Sequence, residues 1–312
     1  MPVADHMCLA DAFAADRRGL GLPNPVVDEL ETVYLPVARW IHSLVRVAER
    51  PVILGVNGAQ GVGKTTFCAL LGGLLKRGFA CAAATLSLDD LYLTRDERSK
   101  LAEAVHPLCG VRGVPGTHDV ELGLTVFDAL TGAAPETETL LPRFDKMTDE
   151  RASIDGFERW MGRPGVVLFE GWCVGARPGP SWGGPFNARE ARDDPQGVWS
   201  RWSAEKLATD YPALFSRIDA LLMIQPPSMD FVLESRCRQE RELRAQAQVE
   251  PQRRKERRLM SREDLGEFVA LFERLTVFMS TDLPPRADVL IGCSEDHAYR
   301  LLRSPTLAEP LL

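Results

Sequence analysis

Residue types suited to phosphate chemistry cluster in one short stretch. Gly58, Gly61 and Gly63 stand just ahead of Lys64, Thr65 and Thr66, in the pattern Gly58-x4-Gly63-Lys64-Thr65. Glycines there let the backbone turn so that successive amide N–H groups face an anion. The lysine then reaches the β- and γ-phosphates of a nucleotide such as ATP, and the threonine hydroxyl is offered to Mg²⁺. This is the full P-loop consensus. Its surroundings agree: an apolar run from Val52 reads as a buried strand before it, and Phe67, Leu70, Leu71, Leu74 and Leu75 follow at helical spacing, with Gly78 expected to cap that helix.

Two further apolar runs end in carboxylates. Phe79 to Leu88 leads into Asp89 and Asp90, and Pro164 to Phe169 leads into Glu170. Phosphoryl transfer asks a protein to hold the phosphates, neutralise their growing charge and aim the attacking oxygen in line. Lys64, Mg²⁺ and a basic segment meet the first two needs. A carboxylate that accepts the proton of an acceptor hydroxyl meets the third, and Asp89 or Asp90 is placed for it. The alternative for the pair is a turn or a helix N-cap. Glu170 reads as a holder of magnesium-bound water or of a substrate hydroxyl, or else as a strand-end turn, so that Thr65, Asp89 and Glu170 make up the expected oxygen set for the metal.

Other positions leave two readings open. His118 and Asp119 suit a polar substrate contact or a capped helix start with Asp119 as N-cap. Arg143, Asp145 and Lys146 suit an exposed ion-pair cluster or a site for an anionic acceptor, because arginine grips a carboxylate with two parallel hydrogen bonds. Tyr92 and Trp172 suit a pocket wall or the core. Ser235 to Arg262 carries ten basic and four acidic residues. It is a solvated helical face or a lid over phosphates, in which case Arg236, Arg238 and Arg241 touch the phosphates.

The elements that must position these groups alternate between strand and helix. That alternation implies an α/β fold of three layers, a P-loop nucleoside triphosphate hydrolase-type fold whose mostly parallel central sheet is flanked by helices, with ligands at the carboxyl ends of the strands. Residues 1–50 read as an irregular arm to about residue 25 and then a helical extension that Pro36 restarts or kinks. Residues 51–312 read as the P-loop domain, with the basic lid near 236–262. Stretches 95–118 and 175–197, spotted with glycine and proline, read as irregular. Helices are expected over Asp119 to Leu130, from Trp199 until Pro212 interrupts, and over Arg262 to Met279. Ile218 to Gln225 and Ala287 to Ile291 are expected to be the remaining strands.

Composition limits the partners. The net charge of −7 over 312 residues gives the surface as a whole no pull on nucleic acid or anionic membrane, so any anion site is local. The seven cysteines are scattered without a Cys-x-x-Cys pair, against a disulfide frame or a zinc site. No apolar stretch approaches a membrane span or a signal peptide, and a soluble cytoplasmic protein is expected.

Taken in order, Gly58-Ala59-Gln60-Gly61-Val62-Gly63-Lys64-Thr65-Thr66, Ser87-Leu88-Asp89-Asp90-Leu91-Tyr92-Leu93-Thr94, Gly116-Thr117-His118-Asp119, Pro142-Arg143-Phe144-Asp145-Lys146 and Leu168-Phe169-Glu170-Gly171-Trp172 resemble the D-glycerate 3-kinase family. The resemblance runs from about residue 50 to about residue 295. It implies a relation to uridine kinase, phosphoribulokinase and pantothenate kinase, in which an aspartate after the second strand is the base and a basic helical lid closes over ATP. Asp89 then takes the base's place, with Asp90 as the alternative, and Tyr92, His118, Asp119, Arg143, Asp145, Lys146 and Arg151 face a hydroxy-acid acceptor, D-glycerate in the family. Two departures stand out. Leu91 replaces the usual phenylalanine, and after Lys146 a Gly-Arg-Gly-Asp-Arg run gives way to Met147-Thr148-Asp149-Glu150-Arg151, with Arg151 in the arginine's place. The first is a mild swap, and the second touches the acceptor rather than the reaction. Other acceptors, whether another hydroxylated acid, a nucleoside or a pantothenate-like molecule, therefore stay open. So does a nucleotide-dependent switch or assembly factor, although the chain lacks the Asn-Lys-x-Asp of common GTPases.

Overall fold

The apolar runs of the sequence become the inner strands of one sheet. The computed structural model describes residues 6–22, 29–179, 182, 184–249 and 260–305. Strands β1 (Val52–Gly58) and β2 (Ala83–Ser87) come first. Then β3 (Glu138–Leu141), β4 (Phe144–Asp145), β5 (Glu150–Arg151) and β6 (Glu158–Met161) make two small antiparallel ribbons, β3 with β6 and β4 with β5. They are followed by β7 (Val166–Gly171), β8 (Ala220–Gln225), β9 (Val289–Cys293) and β10 (Tyr299–Arg303). The main sheet runs β10-β9-β8-β1-β7-β2, parallel throughout except for the antiparallel edge strand β10.

Every residue of β1 and of β7 is buried, which is why these strands read as continuous apolar runs rather than as alternations. Their side chains still alternate between the two helical layers. Leu54, Val56, Val166, Leu168, Leu222 and Ile224 belong to one core cluster, whereas Ile53, Val167, Phe169, Leu221 and Met223 belong to the other. Truncating one of them, such as Leu54→Ala, costs about 2–5 kcal/mol through lost burial and the cavity left behind.

The first cluster is covered by α1 (His6–Gly19), a π-helical turn at Leu30–Tyr34, α2 (Leu35–Val47) and α3 (Lys64–Phe79). Next come α4 (Arg95–Ala104), α5 (Val120–Gly132), α6 (Ala188–Asp193), α7 (Val198–Thr209) and α8 (Tyr211–Phe215), then α9 (Met229–Val249) and α10 (Arg262–Asp282). Of these, α5, α7, α8 and α10 cover the second cluster. The outcome is the expected three-layer α/β architecture.

Several local expectations are corrected. The stretch before residue 25 is helical from His6 to Gly19 rather than irregular, because Leu9 and Phe13, one turn apart, bury against α3 and Tyr34. α3 does not end on Gly78. It runs to Phe79, and Ala80 takes the left-handed cap position at φ 49°. Gly78 instead keeps room for Leu9, whose Cδ2 would lie 3.2 Å from an added Cβ. Within 95–118, α4 forms on a capping box between Thr94 and Glu97. Within 175–197, α6 forms behind Asn187, whose side chain caps it. Pro36 sits in the first turn of α2, directly after the π-helical turn, and Pro212 in that of α8, directly after α7, so each marks a helix restart as expected. β10 was not expected at all. Residues 250–259 of the basic segment lie outside the described residues.

Candidate functional site

Parallel pairing brings the carboxyl ends of β1, β7 and β2 side by side. Glu170 stands in register with Val56 on one flank and Ser87 on the other. The loop after β1, the end of β7 and the Asp pair after β2 therefore converge.

In the loop, Gly61 and Gly63 have φ of +82° and +84°, a left-handed conformation open to glycine at little cost. A Cβ on Gly63 would also meet the Tyr299 hydroxyl at 2.4 Å. Gly63 caps the 16-residue α3, whose first amides face the loop as a ready anion site. The Lys64 ammonium donates to the Ala59 carbonyl at 3.2 Å. The Thr65 hydroxyl donates to Glu170 Oε1 at 2.8 Å, and Glu170 is buried. This hydroxyl and carboxylate form a small set of hard oxygen donors. Such a set suits Mg²⁺, which takes one or two protein oxygens and leaves its other positions to water and phosphate.

The Asp pair divides. Ser87 accepts from the Asp89 amide at 3.3 Å and starts a 3₁₀ turn, Leu88–Leu91, that sends the two carboxylates in different directions. Asp89 accepts from the Tyr92 hydroxyl at 2.8 Å and from the Lys146 ammonium at 2.5 Å. Burial pushes its pKa up, but Lys146, Lys64 and the Tyr92 hydroxyl outweigh it and hold the carboxyl well below the usual range. Asp90 turns away and accepts from Arg143 at 2.8 Å and from the Phe144 amide at 3.0 Å. For Asp90 burial wins over those bonds, and its pKa is raised.

One cleft gathers Gln60, Gly61, Gly63, Lys64, Thr65, Thr66, Asp89, Tyr92, Lys146, Glu170, Trp172 and Arg236. A second depression on the other side of the loop is lined by Gly61, Gly63, Thr66, Arg238 and Gln239, together with Arg17, Leu22, Asp296 and His297. Gly58 ends β1, the Val62 carbonyl accepts from Tyr299, and Arg241 is exposed and lines neither space.

Five expected acceptor contacts lie elsewhere. Arg143 is spent on Asp90 and Glu158 and does not line the cleft. Asp145 is exposed and accepts from the Met147 amide. Asp119 caps α5 through the Leu122 amide and also accepts from Arg151, which donates to the Tyr92 carbonyl as well. His118 is buried, 2.5 Å from the Tyr211 hydroxyl and stacked on Tyr92. Burial lowers its pKa to about 4 against a weaker opposing pull from Asp89, so the ring is neutral at pH 7. These residues hold the turn that carries Asp89 and Tyr92.

Arg112, Gln239, Phe268 and Phe272 line the cleft without having been expected there. Arg112 pairs with Asp149, next to the fully buried Arg98, which donates to the carbonyls of Leu93, Gly110 and Asp149. Its flanking Gly110 and Gly113 were the only signal in the sequence. Trp172 turns out to be both wall and core, with its indole N–H on the Gly113 carbonyl at 2.8 Å and its ring against Phe272. Four cations (Lys64, Arg112, Lys146, Arg236) face two carboxylates (Asp89, Glu170) in this cleft, so a chain that is acidic overall is cationic here.

No family model matches the chain. An uncharacterized kinase of Schizosaccharomyces pombe, mug58, is 31% identical over 276 residues, spanning 86% of this chain and 95% of that protein. The chloroplastic D-glycerate 3-kinase of Arabidopsis thaliana is 27% identical over 269 residues, or 81% of this chain and 55% of the plant protein. The chain belongs to one kinase family with the fission-yeast protein, and D-glycerate 3-kinase is among its relatives. A solved D-glycerate 3-kinase from Cryptococcus neoformans shares the fold, with a TM-score of 0.65 at 20% identity over 86% of this chain and 98% of that one. This kinase is thus an ATP-dependent phosphotransferase of the class with an alcohol group as acceptor. Among its described residues no helix is long and apolar enough to cross a membrane, and none form a group of three or more His, Cys, Asp or Glu that could hold a metal.

Proposed function

We propose that this kinase transfers the γ-phosphoryl group of ATP to the 3-hydroxyl of D-glycerate. The observation that carries the reading is a single cleft in which Asp89 lies between Lys146 and the Lys64–Thr65–Glu170 cluster. An ionised base beside cations that can hold both phosphates and a carboxylate suits a small hydroxy acid. The Arabidopsis relative's activity supports the same acceptor.

In this mechanism Lys64 and the first amides of α3 hold the phosphates, and Arg236 closes on them from α9. Thr65 and Glu170, with Asp89 in the same cleft, would hold Mg²⁺, which would supply positive charge against that of the phosphates. Arg112 and Lys146 bind the acceptor carboxylate. The acceptor's 3-oxygen attacks the γ-phosphorus as the bond to the ADP oxygen breaks, and Asp89 takes the hydroxyl proton. A weak base suffices, since in a loose transition state the oxygen loses its proton late. The six cysteines described are unpaired, which fits a reducing compartment such as the cytoplasm.

ADP release measured with and without D-glycerate, and with pantothenate, a nucleoside or another hydroxy acid in its place, tests the reading. Release that depends on D-glycerate supports it. Release indifferent to every acceptor favours a nucleotide-driven switch, and preference for another acceptor moves the substrate while keeping the chemistry.

A further inference from the structure

The back of the phosphate loop is held by a residue far away in sequence. The Tyr299 hydroxyl, at the start of β10, donates to the Val62 carbonyl at 2.7 Å. In a trans peptide the carbonyl and the next N–H point in opposite directions, so fixing the Val62 oxygen on the Tyr299 side aims the Gly63 amide the other way, out of the loop's back. Glycine's freedom at φ +84° makes a flip of this peptide cheap unless something holds it. Tyr299 is held in turn by the N-terminal segment. Its amide donates to Glu29 Oε1 at 2.8 Å, and Glu29 Oε2 accepts from Arg17 of α1 at 2.9 Å, with both charged side chains about nine-tenths buried. The ring packs edge-on to Phe67 of α3. Burial holds the Tyr299 pKa far above its ordinary value, so the hydroxyl remains a donor.

We propose that Tyr299 is a positioning residue for the phosphate cradle, setting the Val62–Gly63 peptide for ATP, and that Glu29 and Arg17 make α1 part of that device. The assignment rests on the P-loop kinase reading. It gives the N-terminal segment, which carries none of the family motifs, a task in nucleotide binding.

The test is steady-state kinetics on full-length variants. Tyr299→Phe keeps the ring and removes one hydrogen bond, and it is expected to raise the KM for ATP about three- to tenfold with kcat within about twofold. Glu29→Ala is expected to raise KM in the same direction, and Glu29→Gln, which keeps an acceptor for the Tyr299 amide, to restore most of it. Tyr34→Phe is the control: this buried tyrosine stacks on the same Phe67, and its hydroxyl has no partner among the described residues. An unchanged KM in Tyr299→Phe overturns the proposal, as does an equal rise in Tyr34→Phe, which would make the effect one of packing. Full turnover in Lys64→Ala would instead overturn the phosphate site itself, and the assignment with it.

Discussion

Replacing Asp89 by Asn is the sharpest probe of the transfer step. The substitution keeps shape and the bond from the Tyr92 hydroxyl, which can still donate to the amide oxygen, gives up only the bond from Lys146, and leaves Lys64, Thr65 and Glu170 untouched. Losing a general base lowers a rate by about two to four orders of magnitude, or roughly 3–5 kcal/mol of transition-state stabilisation. The effect on stability is small. Lys146 keeps solvent access, with more than half its side chain exposed, and pairs of this kind contribute about 1 kcal/mol or less. Asp90→Asn is expected to do the reverse. It weakens two bonds, to Arg143 and the Phe144 amide, that hold the 144–151 ribbon, costing about 1–3 kcal/mol of stability with less than tenfold loss of rate. Coupled ADP release and single-turnover transfer report the rate, thermal unfolding the stability, and titration with a non-hydrolysable ATP analogue the binding. Transfer within tenfold of wild type in Asp89→Asn, with analogue binding intact, refutes the base assignment. A crippled but stable Asp90→Asn reverses the two roles.

Arg112→Lys should raise the KM for the acceptor about tenfold and leave the KM for ATP alone, because an ammonium cannot make paired hydrogen bonds to a carboxylate. Arg143→Lys, outside the cleft, should change mainly thermal stability. Glu170→Gln should raise the magnesium concentration needed for half-maximal rate, read from a Mg²⁺ titration at saturating ATP, with Thr65→Ala acting in the same direction. His118 supplies a pH signature. Its folded pKa, about 4, lies below the unfolded value of about 6.5. The unfolded chain therefore binds the extra proton, and stability falls as pH drops from about 6.5 to 4, by about 3 kcal/mol from this residue. The stability of wild type relative to His118→Gln, read from denaturant midpoints, should fall by about that amount between pH 6.5 and pH 4, and a difference constant with pH would contradict a neutral buried ring.

Much of the site could be read from spacing, because its parts lie at the ends of continuous apolar strands. The phosphate loop, Glu170 and the Asp pair meet wherever parallel strands with those ends are neighbours. Which carboxylate faces the cleft was not legible from composition, since adjacent residues in a 3₁₀ turn diverge by geometry alone. Arg143 and Arg112 show the same limit. Both are arginines near the ribbons, but Asp90 and Glu158 claim one, while Arg98, buried on three carbonyls, shapes the loop that delivers the other. α1 escaped notice because its two anchors, Leu9 and Phe13, meet partners about sixty and twenty residues away along the chain. α4 escaped because its face is nearly all charged and only its cap marks it.

The sheet order also ranks how firmly each side of the phosphate loop is tied down. β1 lies between β7 and β8, with every residue buried, so its amides can exchange with solvent only when the whole domain opens. β10 is an outer strand, paired on one side and broken in register between Leu301 and Arg303, and it can fray while the inner strands stay paired. The loop therefore grows out of the least yielding strand and leans on the most yielding one. Loosening of that single edge would reach the nucleotide long before it reached the carboxylates on the opposite flank.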